Sequence, residues 1–265
     1  MRNQNVIWKF QNLDCPFVAT AIHNGNMVSQ QAAEMMALSE SGRLREEDPF
    51  TGQMVDFAQN HIIVRTSRFE VDLNRTRDKA LYLTPEDAWG LKVWKEKPSQ
   101  QIIGHSLQVY DDFYAELQRL FTELKSRVKR FVVFDIHSYN HRRESPDGPA
   151  ADAALNPEVN VGTGTMERAR WAWLVEAVMA ELRAFDFLGR GLDVRENVKF
   201  SGGWFANWIH QTFPESACVL CIEFKKFWMD EWTGLPDQQQ LEAIRSALQL
   251  AADCAIEELS KSGKS

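Results

Sequence analysis

Apolar and polar positions along this 265-residue chain alternate between two periods. Four short runs are rich in β-branched and aromatic residues and bounded by turn formers: residues 16–22 (PFVATAI), 60–69 (NHIIVRTSRF), 130–136 (RFVVFDI) and 217–224 (ACVLCIEF). Such runs predict strands. The last two are almost continuously apolar, the pattern of a strand covered on both faces. Between them the period lengthens. Leu107, Tyr110, Tyr114, Leu117, Phe121, Leu124 and Val128 recur in steps of three and four, which predicts a long amphipathic helix. Trp171, Leu174, Val178 and Leu182 predict a second helix over 165–182, and Leu241, Ile244, Leu248 and Ala255 a third, beginning near Pro236-Asp237. The alternation predicts one α/β domain over residues 1–265, with a mixed, mostly parallel central sheet flanked by helices. Ligands of such sheets bind beyond the carboxyl ends of the strands. His23 follows the first predicted strand, His137 follows the third, and Glu223 lies near the end of the fourth. Residues 139–165 lack periodicity and are expected to form an irregular lid over that end of the sheet.

Composition narrows the function. Apolar residues make up 44% and charged residues 25%, an ordinary globular balance. Lys and Arg total 30 against 37 Asp and Glu, a net charge of −7, which argues against nucleic acid or an anionic membrane as the main partner. No run of about 18 apolar residues is present, so no membrane-spanning helix is expected. The opening MRNQNVIWKF has no apolar core followed by a small-residue cleavage site, and four cysteines are too few for a disulfide scaffold. The expected setting is cytoplasmic, with reduced thiols. Cys218 and Cys221 form a C-x-x-C, but within a strand residues three apart face opposite ways, so both are expected to be buried thiols. The nine tryptophans are read as core and edge packing, and His61, His105 and His210 as structural or exposed.

The remaining histidines and several acids can carry chemistry. Asp135 and His137 are two apart and share a strand face. Asp135 is then either a structural partner or the acceptor that orients a metal-binding imidazole. His23 sits in the turn IHNGN, and Glu46, Glu47 and Asp48 lie together in RLREEDPFT. Asp48-Pro49 reads as a helix N-cap followed by proline, leaving Glu47 to point elsewhere. Two histidines and one carboxylate from separate segments would make a zinc site with an open fourth position. No H-E-x-x-H or similar short motif supports it. Arg75, with Arg68 and Arg77, either grips a substrate carboxylate or belongs to a salt-bridged surface loop. Glu223 either pairs with Lys225 on its own face or acts as a general base and acid. Burial would raise its pKa and a nearby cation would lower it. Arg195, ahead of the close-approach glycines Gly202 and Gly203, is a candidate second anion contact.

Taken in order, IHNGN, EEDPFT, SRFEVDLNR, FDIHSYNHRR, VRENVKFSGGWF and CIEFKKFWMDEWTG resemble the N-formylglutamate amidohydrolase family, from about His23 to Gly234. Asp72 to Arg75 (DLNR) is also similar to a motif of the wider zinc carboxypeptidase and aspartoacylase group. The resemblance implies a zinc-carboxypeptidase-like hydrolase fold holding one Zn2+ through histidine, acid and histidine. His23 and His137 match the histidines. In the carboxypeptidase pattern the acid lies three residues after the first histidine, where this chain has Asn26; the resemblance to the formylglutamate hydrolases implies an acid from a later acidic segment, here Glu46 to Asp48. Glu47 is favoured there, with Asp48 as the rival. Glu223 matches the catalytic glutamate, Asn74 and Arg75 match substrate-carboxylate and carbonyl contacts, and Arg75 is also counted among the catalytic groups. The implied activity is zinc-dependent hydrolysis of a small anionic N-acyl amino acid, such as N-formylglutamate. The alternatives are a carboxypeptidase-like enzyme acting on another small amide or peptide, and an inactive small-molecule-binding relative. The oligomeric state is left open.

Overall fold

The computed structural model describes residues 5–262. In chain order its elements are β1 (Val6–Phe10), β2 (Phe17–Ala21), α1 (Gln30–Met35), α2 (Glu40–Glu46), α3 (Thr51–Val55), β3 (Asn60–Val64), α4 (Gln100–Arg127), β4 (Phe131–Tyr139), β5 (Val159–Gly162), α5 (Ala172–Ala184), β6 (Val194–Glu196), α6 (Trp204–Thr212), β7 (Ala217–Lys225) and α7 (Gln238–Ser262). Two single 3-10 turns, Arg77–Lys79 and Pro85–Ala88, lie between β3 and α4.

All seven strands join one sheet in the order β1-β3-β2-β4-β7-β5-β6. The four central strands β3, β2, β4 and β7 are mutually parallel. β1 is antiparallel at one edge, while β5 and β6 run parallel to each other and antiparallel to β7 at the other. The two central strands β4 and β7 are nine residues each, and every residue of β4 is buried. Side-chain alternation sorts the core into two faces. Val18, Ile62, Val133 and Val219 pack beneath Leu117 and Phe121 of α4 and Phe205 and Ile209 of α6. Ala19, Phe134 and Leu220 pack against Met54 of α3, Leu174 of α5 and Ile244 and Leu248 of α7. The apolar series seen in the sequence is the buried stripe of α4, whose first turn is capped by the Ser99 hydroxyl accepting from the Ile102 amide. Cys218 and Cys221 are buried in opposite faces of the sheet, as their spacing within a strand requires.

The α/β expectation and all four predicted strands are present. The differences are local. β4 runs on to Tyr139, so His137 lies inside the strand rather than after it. β3 stops at Val64, and only a bridge from Met27 to Thr66 continues the pairing. Residues 159–162 of the expected lid are β5, hydrogen-bonded to β7, which leaves 140–158 and 163–165 as the irregular parts. Asp48-Pro49 does not cap a helix. α3 begins two residues later, at Thr51, behind Phe50 in a left-handed conformation (φ 67°) and without a side-chain cap. Among the described residues, no helix is long and apolar enough to cross a membrane.

Candidate active site

Three segments converge where the parallel strands end. The chain leaves β2 through His23 and turns at Gly25. A Cβ on Gly25 would lie 2.0 Å from the Arg65 carbonyl carbon, so this close approach excludes any side chain. The Met27 amide then bonds the Arg65 carbonyl (3.0 Å) and locks the turn against the end of β3. A second segment arrives from α2. The Asp48 amide donates to the His23 carbonyl (3.0 Å), and the buried Lys226 ammonium donates to the carbonyls of Arg45 (2.6 Å) and Glu47 (2.7 Å). Asp48 is thus placed by backbone bonds on both sides. The third segment is β4, which presents Asp135 and His137 on one face, with His137 opposite Glu223 of β7 in register.

The two imidazoles meet one carboxylate. Asp48 Oδ2 lies 2.9 Å from His137 Nδ1 and 3.5 Å from His23 Nδ1. The rings sit edge to face, 4.9 Å between centroids. Each outer nitrogen has its own acid: His23 Nε2 is 2.7 Å from Asp72 Oδ1, and His137 Nε2 is 2.9 Å from Asp135 Oδ2. Those acids are anchored in turn. Asp135 accepts from the Thr20 hydroxyl (2.8 Å). Asp72 accepts from Arg68 (2.9 Å), the Asn74 amide (2.8 Å) and the Tyr82 hydroxyl. His23 and His137 are 2% and 3% exposed. Burial works against the charge on Asp48, but His137 and His23 outweigh it and hold the carboxyl well below its usual range. Burial likewise opposes charge on His137, but Asp135, Asp48 and Glu223 overcome it and hold the imidazole well above its usual value.

This donor set fits a metal ion. His23, Asp48 and His137 each offer one ligand atom, and the three atoms lie within 4.8 Å of one another. Among the described residues, the buried His23 Nδ1 has no hydrogen-bond partner, as expected of a nitrogen whose partner is a cation. A carboxylate behind each ring fixes the imidazole orientation. A cleft of about 230 Å³ opens above the three, lined also by Arg68, Asn74, Arg143, Gly202, Glu223 and Lys226. Burial raises the Glu223 carboxyl to about 7, aided by Asp48 and Asp135 and opposed by His137. A carboxyl near neutrality can both take and give a proton.

The sequence-derived residues divide on this map. His23, His137, Asp135, Asn74 and Glu223 are at the cleft or directly behind it. Glu47, the favoured acid, is turned away: its carboxylate accepts from the Ser67 hydroxyl, and the place between the histidines belongs to Asp48. Arg75 does not line the cleft. It donates to the Asp87 carbonyl (2.7 Å) and lies 4.4 Å from the Tyr82 ring centre. Arg195 is drawn away by the carbonyls of Ala153 and Ala154 and by Asp193. Arg77 pairs with Asp111 on the surface. Lys225 bonds the Asn156 carbonyl (3.1 Å) and makes no ion pair with Glu223. Asn74 Oδ1 accepts from the Phe205 amide (3.0 Å) and so caps α6, over Gly203, where a Cβ would lie 2.2 Å from that oxygen. Three contributors escaped sequence reasoning. Asp72 is 49 positions from His23, and its one signal was the polar DLN turn. Lys226, a lysine at the end of a buried apolar run, was the clearest signal missed. Arg143 stood in the HRR of a quoted motif without a role.

Fold and site together define an α/β protein with a histidine–carboxylate centre at the carboxyl ends of parallel strands. The chain belongs to the N-formylglutamate amidohydrolase family, whose sequence profile matches residues 15–226, and is a hydrolase of that type. An N-formylglutamate amidohydrolase from Ralstonia eutropha JMP134 shares the fold, with a TM-score of 0.77 and 16% identity over 98% of this chain and 100% of that one. A gene product from Agrobacterium tumefaciens matches with a TM-score of 0.66 and 14% identity, over 97% of each chain. Among curated proteins, none matches the sequence.

Proposed function

We propose that this chain is a zinc-dependent amidohydrolase that releases the acyl group, formyl in the simplest case, from a small anionic N-acyl amino acid such as N-formylglutamate. One observation carries the reading. Both Nδ1 atoms converge on Asp48 while both Nε2 atoms are held by carboxylates, Asp72 and Asp135. That is the arrangement of a ligand set braced from behind. His23, Asp48 and His137 would hold one zinc, and the open fourth position gives it the form of a catalytic site. When bound, zinc supplies Lewis acidity to the amide carbonyl and to water.

The chain's own groups do the rest. Glu223 faces the cleft beside His137 and accepts a proton from the attacking water, then returns it to the leaving amine. A bound cation would draw its pKa down from about 7, favouring the carboxylate form that accepts first. Arg68 lines the cleft and contributes positive charge opposite a developing oxyanion. The bonds balance simply: water adds across the C–N bond, giving a carboxylate and a free amine. The small cleft favours a single acylated amino acid over a longer chain.

The test is metal content together with product release. Protein purified without added metal and then loaded is expected to hold about one zinc per chain and to liberate formate from N-formylglutamate. Glu223→Gln is expected to keep the zinc and lose at least about a hundredfold in kcat, the scale of a lost general base. Zinc below a tenth of an equivalent after loading, or full activity in Glu223→Gln, overturns the reading.

A further inference from the structure

Most cations around the cleft are already committed. Arg68 donates to Asp72 (2.9 Å) and to the Tyr82 hydroxyl (3.0 Å). Lys226 spends its ammonium on two backbone carbonyls. Arg75 and Arg195 are engaged outside the cleft. Arg143 differs. It lines the cleft, its side chain is 56% exposed and, among the described residues, it makes a single hydrogen-bond or ion-pair contact, from Nη1 to Glu46 Oε2 at 3.5 Å. That distance is the far limit of a hydrogen bond, so the planar fork of donors is nearly unspent.

The backbone beneath Arg143 is held much more firmly than its side chain. Arg45 donates to the carbonyls of Arg142 (3.3 Å) and Arg143 (2.9 Å) and stacks 3.7 Å above the Trp232 ring. Trp232 Nε1 donates to the Arg142 carbonyl (2.8 Å). The buried Glu231 carboxylate accepts from the amides of His141 (2.7 Å) and Arg142 (2.8 Å). Three side chains from outside the irregular 140–158 stretch, Arg45, Glu231 and Trp232, therefore fix residues 141–143 at the cleft mouth through five hydrogen bonds. A rigid base under a free guanidinium is the arrangement that recognises a carboxylate in bidentate fashion with little ordering cost.

We propose that Arg143 reads a second carboxylate on the substrate, the side-chain acid of an N-acylated amino diacid, and that Glu46 is the resting counter-ion which that carboxylate replaces. The proposal rests on the amidohydrolase reading for its substrate, but its test is a binding measurement. Calorimetry on zinc-loaded Glu223→Gln protein compares N-formylglutamate with N-formylglutamine, in which a neutral carboxamide replaces the side-chain carboxylate. N-formylglutamate is expected to bind at least tenfold tighter. Adding Arg143→Gln removes that advantage and shifts N-formylglutamine affinity less than twofold, while Arg143→Lys restores part of it. Equal affinity for the two ligands, equal losses for both in Arg143→Gln, or loss of the discrimination in Arg75→Gln instead overturns it. If Glu223→Gln does not fold, the same comparison uses the amine products of hydrolysis, glutamate and glutamine, as competitors of turnover by the wild-type and Arg143→Gln chains. Discrimination at Arg143 without turnover by the wild type would sink the amidohydrolase reading and leave the Arg143 assignment standing.

Discussion

Glu47 and Asp48 are adjacent acids with opposite surroundings. Glu47 ends α2 in an extended conformation (φ −82°, ψ 176°), and successive side chains of extended backbone point to opposite sides. One of the pair must therefore face away from the histidines, and it is Glu47, bonded to Ser67. The segment was legible in the sequence; the choice within it was not, because it depends on how the chain leaves a seven-residue helix. By contrast the Asp135–His137 pairing was legible, since the i, i+2 rule holds wherever a strand forms. Asp72 was not legible as the partner of His23, because that contact is made by tertiary folding alone. The expected outcome at this scale is direct. Asp48→Ala loses the zinc, whereas Glu47→Gln, an isostere that keeps the Ser67 bond, holds about one equivalent. Metal analysis of the two variants checks it, and retention of zinc by Asp48→Ala would return the ligand role to another group.

Elements divide by length in how well pattern reveals them. α4 and α7, of 28 and 25 residues, carry enough periods to be read directly. β5 and β6, of four and three residues, do not. They persist because neighbours complete them: Asn160 Oδ1 accepts from the amides of Val198 and Lys199 just beyond β6. α6 is another such case, docked on β7 by a histidine. His210 Nε2 accepts from the Val219 amide (2.9 Å), so the proton of the neutral ring belongs on Nδ1, toward the Thr165 hydroxyl. Burial lowers this imidazole to about 4. The unfolded chain, with an ordinary value near ~6.5, then binds the extra proton first as pH falls. Stability from the neutral ring is fully present above ~6.5 and is lost as pH drops toward 4, amounting to roughly 3 kcal/mol across that window. Urea unfolding of wild type and His210→Gln between pH 7.5 and 4.5 is expected to show a shallower acid loss in the variant. Parallel curves would mean that His210 does not titrate as its burial dictates.

At the scale of the whole molecule, the proposed centre joins two paired strands to the segment between α2 and α3, which lies outside the sheet. His23 follows β2, Asp48 lies between α2 and α3, and His137 belongs to β4. Without a cation, Asp48, Asp72 and Asp135 crowd two imidazoles in a nearly dry interior, with Arg68 (2.9 Å) and, at longer range, Arg75 (3.6 Å) pairing with Asp72. The overall charge of −7 gives no relief there. A cation bound only by the folded chain stabilises it by mass action, by about 4 kcal/mol at a free concentration a thousand times Kd. For a chain of this size each kcal/mol moves Tm by roughly 2–4 °C. Zinc-loaded protein is therefore expected to melt roughly 8–16 °C above the chelated form, and re-addition of zinc to restore the difference. Asp48→Ala should melt at one temperature with or without zinc, because its ligand set is broken while the sheet remains. Calorimetric melts with the metal content verified on the same samples distinguish the cases. If wild type stripped of zinc melted where the loaded protein does, packing and the existing hydrogen bonds would suffice to hold the three segments, and the metal would have no share in the fold.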